Sequence, residues 1–136
     1  MAFKAVGEEY RTTIVCVDSY EERIFRGRFY NPYLTEGKAF GSMTQFLLEM
    51  EQTLNTMDFP QSFTATRSFA PVPKPAAKPP GQEILTGAKA TFAVRILFRQ
   101  NASWQGSVTW MEGKREQSFR SVLELIFLMD SALSLP

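Results

Sequence analysis

The sequence predicts an α+β domain: a duplicated ββα unit whose antiparallel sheet of four to five strands carries two helices on one face. Three observations lead there. Two amphipathic segments, 39–54 and 118–133, are spelled alike, with Phe40 and Phe119, Ser42 and Ser121, Met50 and Met129, and Leu54 and Leu133 each 79 positions apart (119 − 40). The same offset continues upstream without a gap, where Phe25-Arg26-Gly27 falls on Trp104-Gln105-Gly106, and Val15 and Val17 fall on Val94 and Ile96. Finally, the segments ahead of each helix alternate apolar and polar residues with the period of a half-buried strand. Two units, 10–57 and 89–134, are therefore read as copies of one module within a single domain spanning 1–136.

In the first copy, 10–18 and 22–30 form the hairpin, with Phe25, Gly27 and Phe29 on one face. In the second, Phe92, Val94, Ile96 and Phe98 alternate with Thr91, Ala93, Arg95 and Arg99. After a turn at 100–102, Trp104, Gly106, Val108 and Trp110 alternate with Ser103, Gln105, Ser107 and Thr109. A glycine at the same place in both second strands is expected to let a helix cross close to the backbone. Each helix opens on a capping box, Ser42-x-x-Gln45 and Ser121-x-x-Glu124, in which the hydroxyl accepts from an orphan N–H and the longer side chain reaches back. One apolar stripe follows in each: Met43, Phe46, Leu47, Met50 and Leu54, then Val122, Leu125, Ile126, Met129 and Leu133. The connection over 71–88 carries five prolines between Pro71 and Pro80, which oppose helix and central strand. An extra edge strand is expected over 61–69.

Composition narrows function mostly by exclusion. The chain has 136 residues, 44% apolar and 13% aromatic, enough for a real core. Fifteen basic and fourteen acidic residues leave a net charge of +1, so no global field draws it to nucleic acid or membrane. With no histidine and Cys16 as the single cysteine, an intramolecular disulfide, a thiolate metal cage and His-based catalysis drop out. No metal and no cofactor is expected, and no enzyme. Neither a leader-like apolar stretch near the start nor a run of 18 apolar residues is seen, so the expectation is a cytoplasmic protein without membrane partners.

Two surfaces stand out. By strand parity Arg26, Arg28, Tyr30, Arg95, Arg99 and Gln105 share the sheet face away from the helices. Arginines beside an aromatic are what a single-stranded nucleic-acid platform uses, although Asp18 dilutes the patch. Solvated charge that blunts sheet aggregation is the plainer reading. On the second helix, Leu123 and Phe127 lie off the core stripe, where the first copy has Thr44 and Leu48. Left uncovered, they form an apolar strip suited to another protein or to a second copy of the chain. Trp104 and Trp110 are read as core. The carboxylate pairs Glu8–Glu9, Glu21–Glu22 and Glu49–Glu51 have spacings that point side chains apart and are read as solvated surface.

The stretch QNASWQGSVTW with SFRSVLELIFLMDSAL after it resembles a recurrent segment of small uncharacterised bacterial proteins. The resemblance covers the last third of the chain and implies no activity. The expectation is thus a non-enzymatic, self-associating protein-interaction or regulatory module, with single-stranded nucleic-acid binding as the competing class and small-ligand binding as a third.

Overall fold

The computed structural model describes residues 8–60 and 86–135. Short 3₁₀ turns at Glu8–Arg11 and Glu21–Arg23 flank the first strand. The regular elements are β1 (Thr12–Ser19), β2 (Arg26–Tyr30), β3 (Lys38–Phe40), α1 (Met43–Met57), β4 (Ala90–Phe98), β5 (Gln105–Trp110), β6 (Arg115–Phe119) and α2 (Val122–Leu133). Six antiparallel strands form one sheet in the order β3-β2-β1-β4-β5-β6. Among the described residues each half therefore supplies three strands and a helix, one strand more than the ββα expectation. The missed strands are the two edges. Along β6 only Phe119 is buried, so an alternating apolar pattern was never needed there. The strand expected over 61–69 lies outside the described residues, as does the proline-rich connection except for 86–88.

An offset of 79 residues organises the whole ladder. At the sheet centre Val15 pairs with Phe92 and Thr13 with Val94, and each pair becomes the other when one member is moved up and its partner down by that offset. Ile14, opposite Ala93, maps onto its own pair. The flanking pairs agree: Val17 faces Gly27 and Ile96 faces Gly106, while Gly27 faces Phe40 and Gly106 faces Phe119. Both central strands are also irregular at the same place, between Val17 and Ser19 and between Ile96 and Phe98. These bulges invert the side-chain parity beyond them. Hence Phe98, expected in the core, is 51% exposed, and Arg99, expected on the open face, is only 2% exposed.

The helices cover one face. Val15, Val17, Phe29, Phe92, Val94, Ile96, Val108 and Phe119 point at them and join Phe46, Met50, Leu54, Leu125, Met129 and Leu133 in one cluster. Phe46 is the hub of the first half, edge-on to Phe25 and Phe29 and 6.5 Å from the Trp104 ring of the second. Both helices begin where the capping signals put them. Ser42 and Ser121 hydroxyls each accept from the backbone N–H three residues on, at 3.1 Å. The reaching side chains go one residue further back than a standard box: Gln45 accepts from Gly41 N–H and Glu124 from Arg120 N–H.

The shared glycine has a different cause from the one expected. A Cβ on Gly27 would sit 2.0 Å from the Cys16 carbonyl oxygen, and one on Gly106 would sit 1.9 Å from that of Arg95. The close approach is made by the bulging neighbour strand, not by a helix. Replacing either glycine by alanine should cost about 3 kcal/mol in denaturant unfolding, whereas Gly41→Ala, with nothing nearer than 3.6 Å, should change stability by less than about 0.5 kcal/mol.

Candidate interaction surfaces

Three surfaces of this fold could meet another molecule. The first is the sheet face away from the helices. Arg28 is held there from three sides: Nη1 donates to Asp18 Oδ2, Nε to the Tyr30 hydroxyl at 3.0 Å and Nη2 to the Thr86 carbonyl at 3.1 Å. Asp18 also accepts from Ala88 N–H at 3.0 Å, and Gly87 N–H donates to the Thr91 hydroxyl, so residues 86–88 lie across this end of the face. Beneath them Cys16, whose cross-strand neighbours are Arg28 and Thr91, is fully buried. Burial pushes its thiol up, against the pull of the Arg28 charge, which keeps it protonated and unreactive.

The expected arginine platform is thus brought together only in part. Arg28 and Tyr30 do adjoin, but Arg28 is committed to Asp18. Arg26 and Arg95 are exposed on the same face. Gln105 closes the loop before β5, accepting from Gln100 N–H at 2.9 Å and donating to Gln100 and Arg120 carbonyls. Arg99 is on the opposite side altogether. Its Nε donates to the Pro60 carbonyl at 2.6 Å and its Nη1 to Asn55 Oδ1 at 2.7 Å and Glu51 Oε2 at 3.3 Å.

That last cluster corrects the reading of Glu51 as solvated surface: it also accepts from Trp104 Nε1 at 2.7 Å. Its equivalent under the offset is Asp130, and the equivalent of Arg99 is Tyr20. Tyr20 donates to Asp130 at 2.7 Å, and burial with the neighbouring carboxylate pushes the phenol up to about 12. So the strand end of each half is tied to the helix of the other. The equivalence of positions 20 and 99 was legible in the offset, but a tyrosine aligned with an arginine hides a shared role.

The second surface is the outer side of α2. Leu123 and Phe127 are 59% and 61% exposed, one turn apart. Arg120 and Glu124, paired at 3.1 Å, border a shallow depression of about 440 Å³ beside them. On α1 the matching position to Phe127 is Leu48, also exposed. The third surface is a groove between α2 and the β5–β6 hairpin, floored by Phe92, Val108 and Trp110.

Among the described residues no cluster of three or more His, Cys, Asp or Glu side chains could hold a metal ion, and every buried polar side-chain atom has a partner. No helix among them is long and apolar enough to cross a membrane. Comparison with protein-family models, with curated proteins and with solved structures finds no match. Function has to be reasoned from geometry.

The Asp18–Arg28 contact has a testable pH signature. Burial alone would raise the Asp18 carboxyl, but the Ala88 N–H and the Arg28 guanidinium outweigh it and hold it below the usual range. A depressed carboxyl adds stability that is complete above the unfolded value of about 3.9 and is lost as pH falls through the folded value. Asp18→Asn should therefore lower Tm at pH 7, with the gap to the parent protein closing as the pH drops below about 4. A gap independent of pH would mean the charge contributes nothing.

Proposed function

We propose that this chain is a non-enzymatic interaction module, built from two copies of a βββα unit, that joins a second copy of itself through the outer side of α2. The observation that carries the reading is the exposure of Leu123 and Phe127 on a helix whose inner side is already fully used by Leu125, Met129 and Leu133. Two large apolar side chains one turn apart on a water-facing helix are the kind of strip that a partner covers. Equivalent positions of α1 hold Thr44 and an exposed Leu48, so the second helix differs in carrying a second large apolar side chain, Leu123, one turn from the first.

A second copy fits the geometry better than a charged partner does. The net charge of +1 gives two copies almost no long-range repulsion. Around a twofold axis the same patch meets itself, so Leu123 of one copy would face Phe127 of the other in an antiparallel helix pair. The depression beside Phe127 offers each ring a seat, and the Arg120–Glu124 pair supplies both signs of charge at the rim. The nucleic-acid reading has less support, because Arg28 is neutralised by Asp18 and Arg99 is buried behind the sheet.

Light scattering across a concentration series tests the proposal. The unmodified chain should approach twice its 15.5 kDa mass with a Tm that rises with concentration, and the Leu123→Gln, Phe127→Gln double variant should stay at that mass and still unfold cooperatively, with a Tm independent of concentration. Glutamine is chosen because it keeps helix propensity. A unmodified chain that is monomeric throughout, or a double variant that still dimerises, would overturn the assignment.

A further inference from the structure

The two halves differ most at positions 31–37 and 110–116, which are equivalent under the offset of 79. In the first half the buried Asn31 side chain lies within hydrogen-bond distance of the Tyr10 and Thr12 carbonyls and the Thr13 hydroxyl. It also accepts from Tyr33 N–H at 2.9 Å, turning the chain so that Tyr33 and Leu34 pack on the core and Tyr33 reaches the Thr56 carbonyl of α1. In the second half Trp110 replaces Asn31. The ladder runs on through Trp110 and Arg115, and a tight turn at 111–114 closes it. What the first half fills is left in the second as a groove of about 290 Å³, with Leu135 at its end where Thr56 stands in the first.

The charges of the two places are also reversed. The first half has Glu36, Lys38 and Glu49 at these positions, with Lys38 paired to Glu49 at 3.2 Å. The equivalents in the second half are Arg115, Gln117 and Leu128, and all three line the groove. Where the first half has a salt-bridged, net acidic lip the second has a basic one, and among the described residues no Asp or Glu lines the groove. The Ser131 hydroxyl at the rim already donates to the Leu128 carbonyl, which leaves Arg115 and Gln117 as the available donors.

We infer that this groove binds a small amphipathic carboxylate, with the acid head on Arg115 and Gln117 and the hydrocarbon tail along Trp110, Val108 and Leu128. A guanidinium matches a carboxylate in shape as well as charge. An apolar floor with a few convergent donors is the usual make-up of a small-molecule site, and the volume falls at the small end of that class, about 300 Å³. The Trp110 wall is fixed, since the turn passes under its ring closely enough that a Cβ on Gly113 would lie 2.2 Å from it. Nothing in this inference depends on the exposed strip of α2, which is formed by other residues of that helix.

Octanoate is the probe, with octanol and octylamine as uncharged and cationic comparators, each followed by titration calorimetry and tryptophan emission. Octanoate should bind more tightly than either comparator. Arg115→Gln, an exposed change that should not disturb folding, should weaken octanoate about tenfold and leave octanol unchanged. Ser131→Phe, which fills the groove from the rim, should weaken both. No binding at millimolar octanoate, octanol binding as tightly as octanoate, or octanoate affinity indifferent to both substitutions would overturn the inference.

Discussion

The pairing of β1 with β4 is the constraint on which the rest of the molecule depends. Among the described residues it is the one strand pair in which backbone of one half meets backbone of the other, and it fixes the register of everything outside it. A slip of one residue would put Val15 and Val17 on the opposite face from Phe92 and Val94. The pairing also explains why neither half is expected to be self-sufficient. A unit of about forty-five residues buries too little surface to offset its chain entropy. Here each unit leaves its best contacts unfinished: Phe46 needs Trp104, Tyr20 needs Asp130, and Glu51 needs Arg99. These contacts exist only when the central strands are in register.

The bulges next to that pairing convert a local irregularity into the cross-ties. Without the extra residue, Tyr20 and Arg99 would remain on the parity of the open face and could not reach the opposite helices. With it, each turns under the sheet toward an acid on the partner helix. The bulge carbonyls of Cys16 and Arg95 then press on the neighbouring strand, which is why that strand carries glycine at 27 and at 106. The glycine, the bulge and the buried acid are thus one device used twice. Arg99 shows its energetic limit: burial pulls its guanidinium down, and only Glu51 and Asp58 nearby, with the Asn55 and Pro60 oxygens, keep a charge tolerable at that depth.

Much of this was legible in the residues. The offset, the helix starts at Ser42 and Ser121, the core stripes and the position of the tight glycines follow from side-chain type and spacing alone. The edge strands were not legible, because an edge needs one buried residue, Phe40 or Phe119, and otherwise resembles a polar loop. Parity arguments failed beyond the bulges, since period-two reasoning has no way to sense an inserted residue. That single failure misplaced both Phe98 and Arg99. Of the proposed surfaces, the α2 strip was visible as apolar residues off the stripe, while the groove was not. Its walls come from three separate segments that only the sheet order brings together.

The correspondence at an offset of 79 accounts for the ladder, and departures from it are where the two proposed surfaces lie. Once the shared core is closed, corresponding positions of the two halves need not carry identical side chains. The ties, caps and glycines cannot drift without cost, and they still correspond. The positions that differ include Thr44 against Leu123, Glu36 against Arg115 and Glu49 against Leu128, together with the buried Asn31 against the half-buried Trp110. All four changes make the second half more apolar or more basic, and none repairs a packing fault left by another. Packing alone would favour the first-half solution, in which Tyr33 and Leu34 fill the space beside the helix and Lys38 is neutralised. A second half that forgoes both, keeping Trp110 and Arg115 facing an open groove, gives up stability at that point. In the proposed reading, a small carboxylate ligand fills the space that Tyr33 and Leu34 fill in the first half.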